Sequence, residues 1–390
     1  MIKNKKILVA VTGGIAAYKA VDLVSKLRKA GCQTKVMLSK NAQEFITPLT
    51  FKSISGMDVA LDMFSPAGYI EHITWADWAD IVVVAPATGN IIGKVAAGIA
   101  DDLISTTIMA TAAPVLFVPA MNIHMYENPI VQRNVTALRK LGYLFMEPEH
   151  GLLACGYRGK GRFPQTTEIL FAIRTHLHHS RDLAGTTILI STGPCQEAID
   201  PMRYITNHSS GRMGLALARA AHFRGAAVQV VAGALQDAVP DYLPVTSATT
   251  AAAMHTAILK HFPQADITIM AAAVSDYRPL HPAKEKIKKG DNLTLELERT
   301  TDILQQLGDE KRPDQTVVGF AAESRDIVEN ARKKLVKKHL DFIVANHLQV
   351  AGQDATSCTI IPASGTEKTV AGDKFSVAHQ ILDMVAGRQK

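Results

Sequence analysis

Short uninterrupted apolar runs alternate with longer amphipathic segments along this chain, a pattern that predicts strands buried on both faces and helices that cover them. Residues 7–11 form the first such run, and 15–30 read as a helix stopped by Gly31. Further strands are expected at 35–38, 81–84 and 115–118, with a closing helix at 166–177. The pattern then restarts. A second set of strands is expected at 187–190, 227–231, 266–270, 316–319 and 342–345, with a strand-like stretch at 293–297. Helical patterns at 215–220, 249–261 and 326–339 stand among them. The fold class is therefore α/β, with two doubly wound, Rossmann-like, three-layer domains. The polar stretch His178-His179-Ser180-Arg181-Asp182 marks the boundary, giving domains 1–180 and 181–390.

Open α/β sheets bind ligands beyond the carboxyl ends of their strands, so the loops there bear on function. Thr12-Gly13-Gly14 follows the first strand, a combination that serves a tight turn and phosphate binding alike. Ser39 ends the second strand, Ala85-Pro86-Ala87-Thr88-Gly89-Asn90 the third, and Pro119-Ala120-Met121-Asn122 the fourth. The stretch 191–214 stands between an apolar run and a helical segment. Its Gly193, Gly211 and Gly214 are expected to let the backbone approach a ligand, with His208, Ser209 and Ser210 as donors at a helix N-terminus.

Composition narrows the classes. The net charge of +6 raises nucleic-acid binding, but the basic residues gather at 284–289 and 333–338 without interleaved aromatics, which favours a phosphate-bearing small molecule. No stretch is long and apolar enough to span a membrane. The four cysteines, Cys32, Cys155, Cys195 and Cys358, form neither a CxxC pair nor a disulfide framework, which suits a reducing cytoplasm. His176, His178 and His179 have no second liganding group spaced near them and read as a solvated helix end.

Three residues of the first half are candidates for chemistry. His72 sits on a polar loop before an acidic, Trp-containing turn, as a proton carrier or a plain surface histidine. Asn122 follows a strand end directly, where its amide holds a carboxylate or caps a turn. Cys155 lies in the glycine-rich segment 152–161, which can fold over a site as a flap, although an isolated cysteine is more often a buried structural one. In the second half, Lys286 stands on a loop able to close over phosphates, and Lys334 and Lys338, four apart, share a helix face.

Taken in order, GGIAAYKA, EHI with His72, APAT, DDLIST, PAMNIHMYENP and LLACG resemble the flavin-dependent cysteine decarboxylases. GPCQEAIDPMRYITNHSSGRMG, AAAVSDY, EKIKK and GFAAE resemble the phosphopantothenate-cysteine ligases, so the whole chain is similar to the bacterial family that fuses both activities for coenzyme A biosynthesis. The resemblance implies a flavodoxin-like N-terminal domain holding FMN, with Gly13, Gly14 and Ile15 at its phosphate and Ser39, Thr88 and Ser105 as further contacts. It implies 4'-phosphopantothenoylcysteine as substrate, oxidised at its thiol carbon by the flavin so that CO2 can leave. His72 would assist that oxidation, Asn122 would orient the carboxylate, and Cys155 would return a proton from the flap.

For the second domain the resemblance implies CTP as co-substrate, an acyl-cytidylate of 4'-phosphopantothenate, and Mg2+ carried mainly by the nucleotide phosphates. Nucleotide contacts fall on Asp276, Lys286, Thr300, Thr301, Asp302, Ile303, Phe320, Lys334 and Lys338. Asn207 would stabilise the acyl intermediate and Lys286 the departing pyrophosphate. The chain departs from the family pattern at Tyr157, where an aspartate is usual, at Tyr126 (tryptophan), at Cys195-Gln196 (Thr-Arg or Thr-Gln), at Ala198 (proline), at Thr300-Thr301 (Asn-Pro) and at His347 (aspartate). Kinship implies a homo-oligomer, a dodecamer built from trimers with FMN between subunits and from dimers of the ligase. A flavin reductase with a second nucleotide-binding half is a rival reading, but neither half shows GxGxxG followed by an acidic residue. A flavin-holding regulatory protein without turnover is another.

Overall fold

The structure, a computed structural model, describes residues 2–64, 71–179, 181–289, 292–323, 326–347 and 355–387, with 71, 323, 347 and 355 described by backbone alone. The chain divides into two compact units, Met1–Ser180 and Arg181–Lys390.

In the first unit the strands are β1 (Lys6–Val11), β2 (Gln33–Leu38), β3 (Val59–Ala60), β4 (Ile81–Ala87), β5 (Val115–Pro119) and β6 (Leu144–Phe145). They form one sheet in the order β3-β2-β1-β4-β5-β6, parallel throughout. Without the two-residue edge strand β3 the remaining five read 2-1-3-4-5, the flavodoxin order. The helices are α1 (Ala17–Lys29), α2 (Pro48–Ser55), α3 (Glu71–Trp78), α4 (Gly89–Ala96), α5 (Leu103–Ala110), α6 (Ile123–Tyr126), α7 (Pro129–Lys140) and α8 (Thr166–His176). One layer joins α1 to α2 and α8; the other joins α4 to α5 and α7, and α3 to α5. Every residue of β4 is buried, as a strand covered on both faces requires. The chain turns out of β1 beside β4, where strand order reverses, and that switch point opens the crevice described below.

A hairpin that periodicity did not reveal follows the sheet. Strands β7 (Glu149–Leu152) and β8 (Arg158–Arg162) pair antiparallel, with Cys155 in the turn between them. The sequence Arg158-Gly159-Lys160-Gly161-Arg162 carries no apolar alternation, so nothing in its pattern announces a strand.

The second unit contains β9 (Thr187–Thr192), β10 (Gln196–Asp200), β11 (Arg203–Thr206), β12 (Ala227–Ala232), β13 (Val245–Ser247), β14 (Ile267–Met270), β15 (Tyr277–Pro279), β16 (Leu297–Arg299), β17 (Thr316–Glu323), β18 (Phe342–His347), β19 (Ala355–Pro362) and β20 (Lys368–Asp373). Its main sheet runs β13-β12-β9-β14-β17-β18-β19-β20. The first six strands are parallel and repeat the Rossmann order, while β19 and β20 extend the edge antiparallel. Helices α9 (Arg212–Phe223) and α13 (Lys374–Ala386) cover one face; α10 (Ala251–His261), α11 (Ile303–Glu310) and α12 (Ile327–Lys337) cover the other.

Two expectations change here. The stretch after β9 does not pass directly to a helix, because β10 and β11 form a hairpin before α9 begins. Residues 293–296 are not strand; only Leu297–Arg299 pairs, with Tyr277–Pro279. The glycines of 191–214 are also required by the packing of the protein itself. Gly211 has φ 74°, and a Cβ there would strike the Leu235 side chain and stand 3.2 Å from the Gly193 backbone. A Cβ on Gly214 would likewise strike Thr192.

Candidate functional site

The crevice at the switch point of the first unit is a cavity of about 1010 Å3, walled by the loops after β1, β2, β4 and β5 and by the β7–β8 hairpin. Gly13, Gly14, Ile15, Ser39 and Thr88 all line it, as do Lys19, Lys40, Asp102 and Arg162. Thr12 fixes the wall: its hydroxyl donates to the Pro86 carbonyl at 2.7 Å and accepts from the Thr88 N–H at 3.1 Å. Gly13 is required because a Cβ there would collide with Asn41. The segment 13–16 leads into α1, whose cap residue Ala16 offers no side-chain cap; the Ala17 and Lys19 N–H groups bond to the turn, and the positive dipole end lies at the crevice beside Lys19. Burial, and after it Arg162, lowers the Lys19 ammonium below its ordinary range. An anion entering here finds backbone donors and cations together.

Ser105 is not part of the wall. It is buried, and it forms a capping box with Asp102 at the start of α5, accepting from the Asp102 N–H at 3.2 Å while Asp102 accepts from the Ser105 N–H at 2.8 Å. His72 also stands apart from the cavity lining. It lies in the first turn of α3, not on a loop, and its Nδ1 is buried without a hydrogen-bond partner among the described residues. Residues 65–70, which precede it, lie outside the described residues.

Asn122 and Cys155, 33 positions apart, are brought together over the cavity: the Asn122 amide donates to Cys155 Sγ at 3.1 Å. Asn122 also caps α6, its Oδ1 accepting from the His124 N–H at 2.8 Å, so the turn-capping reading holds while the amide meets a thiol. The hairpin turn is closed by the Leu153 N–H to the Tyr157 carbonyl at 2.8 Å. A backbone hydrogen bond from Tyr157, with the Asn122 amide and the Cys155 backbone, holds the Cys155 thiol below its ordinary value against the opposing effect of burial. The other cysteines behave oppositely: burial pushes Cys32 and Cys195 up to about 11 and Cys358 to about 12. The Tyr157 ring meets His124 edge-on at 5.4 Å, joining the hairpin tip to α6.

A carboxylate that sequence reading missed lies behind this pair. Glu147, just beyond β6, accepts from the Tyr126 hydroxyl at 3.0 Å, from Arg139 at 2.5 Å and from Lys160 at 2.6 Å. Burial raises its carboxyl, but hydrogen bonds from Arg139 and Lys160 outweigh this and hold it down at about 2. Tyr126 is pushed above its ordinary value by burial and by Glu147.

In the second unit, Asn207, Asp276, Thr300, Asp302 and Lys338 form a connected edge. Asn207 donates to the Val274 carbonyl at 3.1 Å; the Thr300 N–H donates to the Asp276 carbonyl at 3.0 Å, and the Thr300 hydroxyl to Ser275 at 2.6 Å. Asp302 caps α11 and pairs with Lys338 at 2.8 Å. Ile303 is buried beneath that cap, Thr301 is exposed beside it, Lys334 is exposed one turn before Lys338, and Phe320 is half-buried on β17. A Cβ on Gly308 would collide with the Lys338 carbonyl, which shows how closely α11 meets the end of α12.

Lys286 is exposed on a separate loop that is tied to the β10–β11 hairpin. The Ala283 N–H donates to Ile199 at 2.9 Å, the Ile287 N–H to Asp200 Oδ2 at 3.1 Å, and Arg203 pairs with the same carboxylate at 3.0 Å. Burial raises the Asp200 carboxyl, and the Met202, Ile287 and Arg203 N–H groups together bring it below its ordinary value. At the departures, Cys195 joins the edge through backbone, to Ala273 at 3.1 Å, and the Gln196 N–H donates to Thr249 at 2.7 Å. The His347 side chain lies outside the described residues. Among the described residues no three His, Cys, Asp or Glu side chains cluster as a metal site, and no helix is long and apolar enough to cross a membrane.

Comparison with known proteins agrees with this division. Residues 1–178 match the family model described as Flavoprotein, and residues 183–388 the one described as DNA/pantothenate metabolism flavoprotein C-terminal domain. The coenzyme A biosynthesis bifunctional protein of Bacillus subtilis is 45% identical over 100% of this chain and 98% of its own length. Its counterpart in Vibrio cholerae is 43% identical over 98% of each chain. The crystal structure of the C-terminal domain of a coenzyme A biosynthesis bifunctional protein is 35% identical, covering 54% of this chain and 98% of that one, with a TM-score of 0.47.

Proposed function

Because the chain belongs to the family of bifunctional coenzyme A biosynthesis proteins, we propose that its units catalyse two consecutive steps, cysteine ligation to 4'-phosphopantothenate in the second and decarboxylation of the product in the first. The observation that carries the reading is the Asn122–Cys155 contact over the cavity, since a binding protein has no need of an activated thiol there.

The first unit is a flavoprotein unit by its family match, and FMN fits its cavity: the volume is of cofactor size, and the uncapped turn at 13–16 with Lys19 suits a phosphate. Gly13, Gly14 and Ile15 would hold that phosphate, with Ser39 and Thr88 along the wall. FMN held here would supply a two-electron acceptor that takes electrons from the thiol carbon before CO2 leaves and returns the same two afterwards, chemistry that an ordinary cysteine carboxylate lacks. Asn122 orients the carboxylate of 4'-phosphopantothenoylcysteine through its amide. Cys155 holds a proton on the hairpin tip and delivers it to the carbon that CO2 has left, giving 4'-phosphopantetheine. His72 acts from a neighbouring copy of the chain, because α3 is not part of the cavity wall in its own unit. Exposed Ile15, Tyr18 and Met125 at the cavity favour such coverage by a second subunit.

In the second unit CTP activates the carboxylate as an acyl-cytidylate, which cysteine then attacks. Asp276, Thr300, Thr301, Asp302, Ile303 and Phe320 flank the nucleotide. Lys286, Lys334 and Lys338 offset triphosphate charge, with Mg2+ arriving on the phosphates. Asn207 steadies the acyl intermediate. Replacing Cys155 by Ser separates the two steps. Pyrophosphate release from 4'-phosphopantothenate, cysteine and CTP is expected to continue while 4'-phosphopantetheine fails to form; undiminished 4'-phosphopantetheine formation would refute the role given to Cys155.

A further inference from the structure

The two groups that meet above the cavity belong to elements with little regular structure of their own. Asn122 heads a helix of four residues, and Cys155 sits in a five-residue turn between short strands. Their 3.1 Å contact therefore depends on how α6 and β8 are held against each other. Backbone packing supplies part of the answer: the Met121 N–H donates to Gly161 at 3.1 Å, and a Cβ on Gly159 or Gly161 would strike Ile123 or Met121.

Glu147 supplies the rest. Its backbone neighbour Met146 is bound to Phe117 of β5 at 2.9 Å, so the carboxylate is referenced to the sheet rather than to either loop. One oxygen takes both the Tyr126 hydroxyl, from the last residue of α6, and Lys160, from the centre of β8; the other takes Arg139 of α7. Lys160 Nζ also lies over the Tyr126 ring, 5.8 Å from its centroid. Tyr126 is itself locked, buried and with its carbonyl receiving the Gln132 amide at 2.5 Å. We propose that Glu147 is a positioning residue of this site, a single carboxylate that fixes the element bearing Asn122 and the strand leading from Cys155 to one point on the sheet. The inference rests on the roles given above to Asn122 and Cys155, but its structural content is separable from them.

The test uses the flavin-loaded full chain with Glu147→Gln, which keeps the shape and a hydrogen bond but removes the charge, and Glu147→Asp, which keeps the charge at a shorter reach. Cys155 is the exposed one among the four free cysteines, so its rate of alkylation by iodoacetamide reports its surroundings without reference to turnover. Glu147→Gln is expected to lower kcat for CO2 release about 10-fold to 100-fold with KM nearly unchanged, as misplacement of reacting groups does. The alkylation rate is expected to change about threefold or more, with Glu147→Asp partly restoring both. Flavin absorbance and pyrophosphate release are expected to stay at parental values, while the melting temperature falls modestly with the lost ion pairs. Tyr126→Phe and Lys160→Met, each removing one arm, are expected to fall between parent and Glu147→Gln. The proposal is overturned if kcat and alkylation rate both stay within about twofold of the parent. It is equally overturned if kcat falls only in proportion to lost flavin or lowered melting temperature. Should the parent release no CO2 at all, the decarboxylase reading fails, and the alkylation rates alone decide whether Glu147 sets the Asn122–Cys155 contact.

Discussion

Among the residues of the first unit, Cys155 is set apart by its surroundings rather than by its chemistry. All four cysteines are free, but three are buried and pushed towards the neutral thiol, while Cys155 is exposed and receives hydrogen bonds from Tyr157 and Asn122. Hydrogen bonds to sulfur favour the thiolate, so the folded thiol titrates below an ordinary cysteine. Alkylation of Cys155 followed against pH is therefore expected to show a midpoint below that of a free thiol. Asn122→Ala is expected to move it upward, because the one side-chain donor is lost; a midpoint that does not move would show that the Asn122 contact is absent in solution. The group at 157 that lowers the thiol is part of the backbone rather than the Tyr157 side chain. Asn122 and Cys155 were legible in the sequence because each lies in a compact motif. Glu147 was not, because its importance comes from Tyr126, Arg139 and Lys160 converging in space from separate elements. His72 and Ser105 were legible as residues but not in their settings, a helix turn away from the cavity and a capping box.

At the scale of elements, the parallel strands were readable and the hairpins were not. Strands β1, β4 and β9 are apolar on both faces and appear as continuous runs, whereas β7, β8, β10 and β11 are polar or glycine-rich and bend the chain back without any period-two signal. Both site-bearing hairpins belong to the second kind. The β10–β11 hairpin carries Asp200, whose carboxylate grips the Ile287 N–H and Arg203 and so anchors the loop bearing Lys286. Asp200→Asn retains an acceptor but loses the charge that holds Arg203. It is expected to reduce pyrophosphate release about 10-fold, while CO2 release from supplied 4'-phosphopantothenoylcysteine is unaffected. Equal loss of both activities would mean that Asp200 supports the fold of the whole chain rather than the loop.

Across the whole molecule, each unit follows one plan: a largely parallel sheet whose strand order reverses beside its first strand. The alternation of apolar runs and amphipathic helices was enough to find both sheets. The antiparallel pair β19–β20 that lengthens the second sheet escaped it, being an edge addition that no crossover helix announces. Fold alone does not specify the reaction, which depends on the side chains set on these loops. The account is tested most directly by supplying the purified chain with 4'-phosphopantothenate, cysteine, CTP and Mg2+, and following pyrophosphate, CO2 and 4'-phosphopantetheine together. Pyrophosphate and CO2 in equal amounts, with a flavin spectrum in the protein and no pyrophosphate when CTP is omitted, is the predicted result. NADPH oxidation with neither product, or a colourless protein that stays colourless when offered FMN, would contradict it.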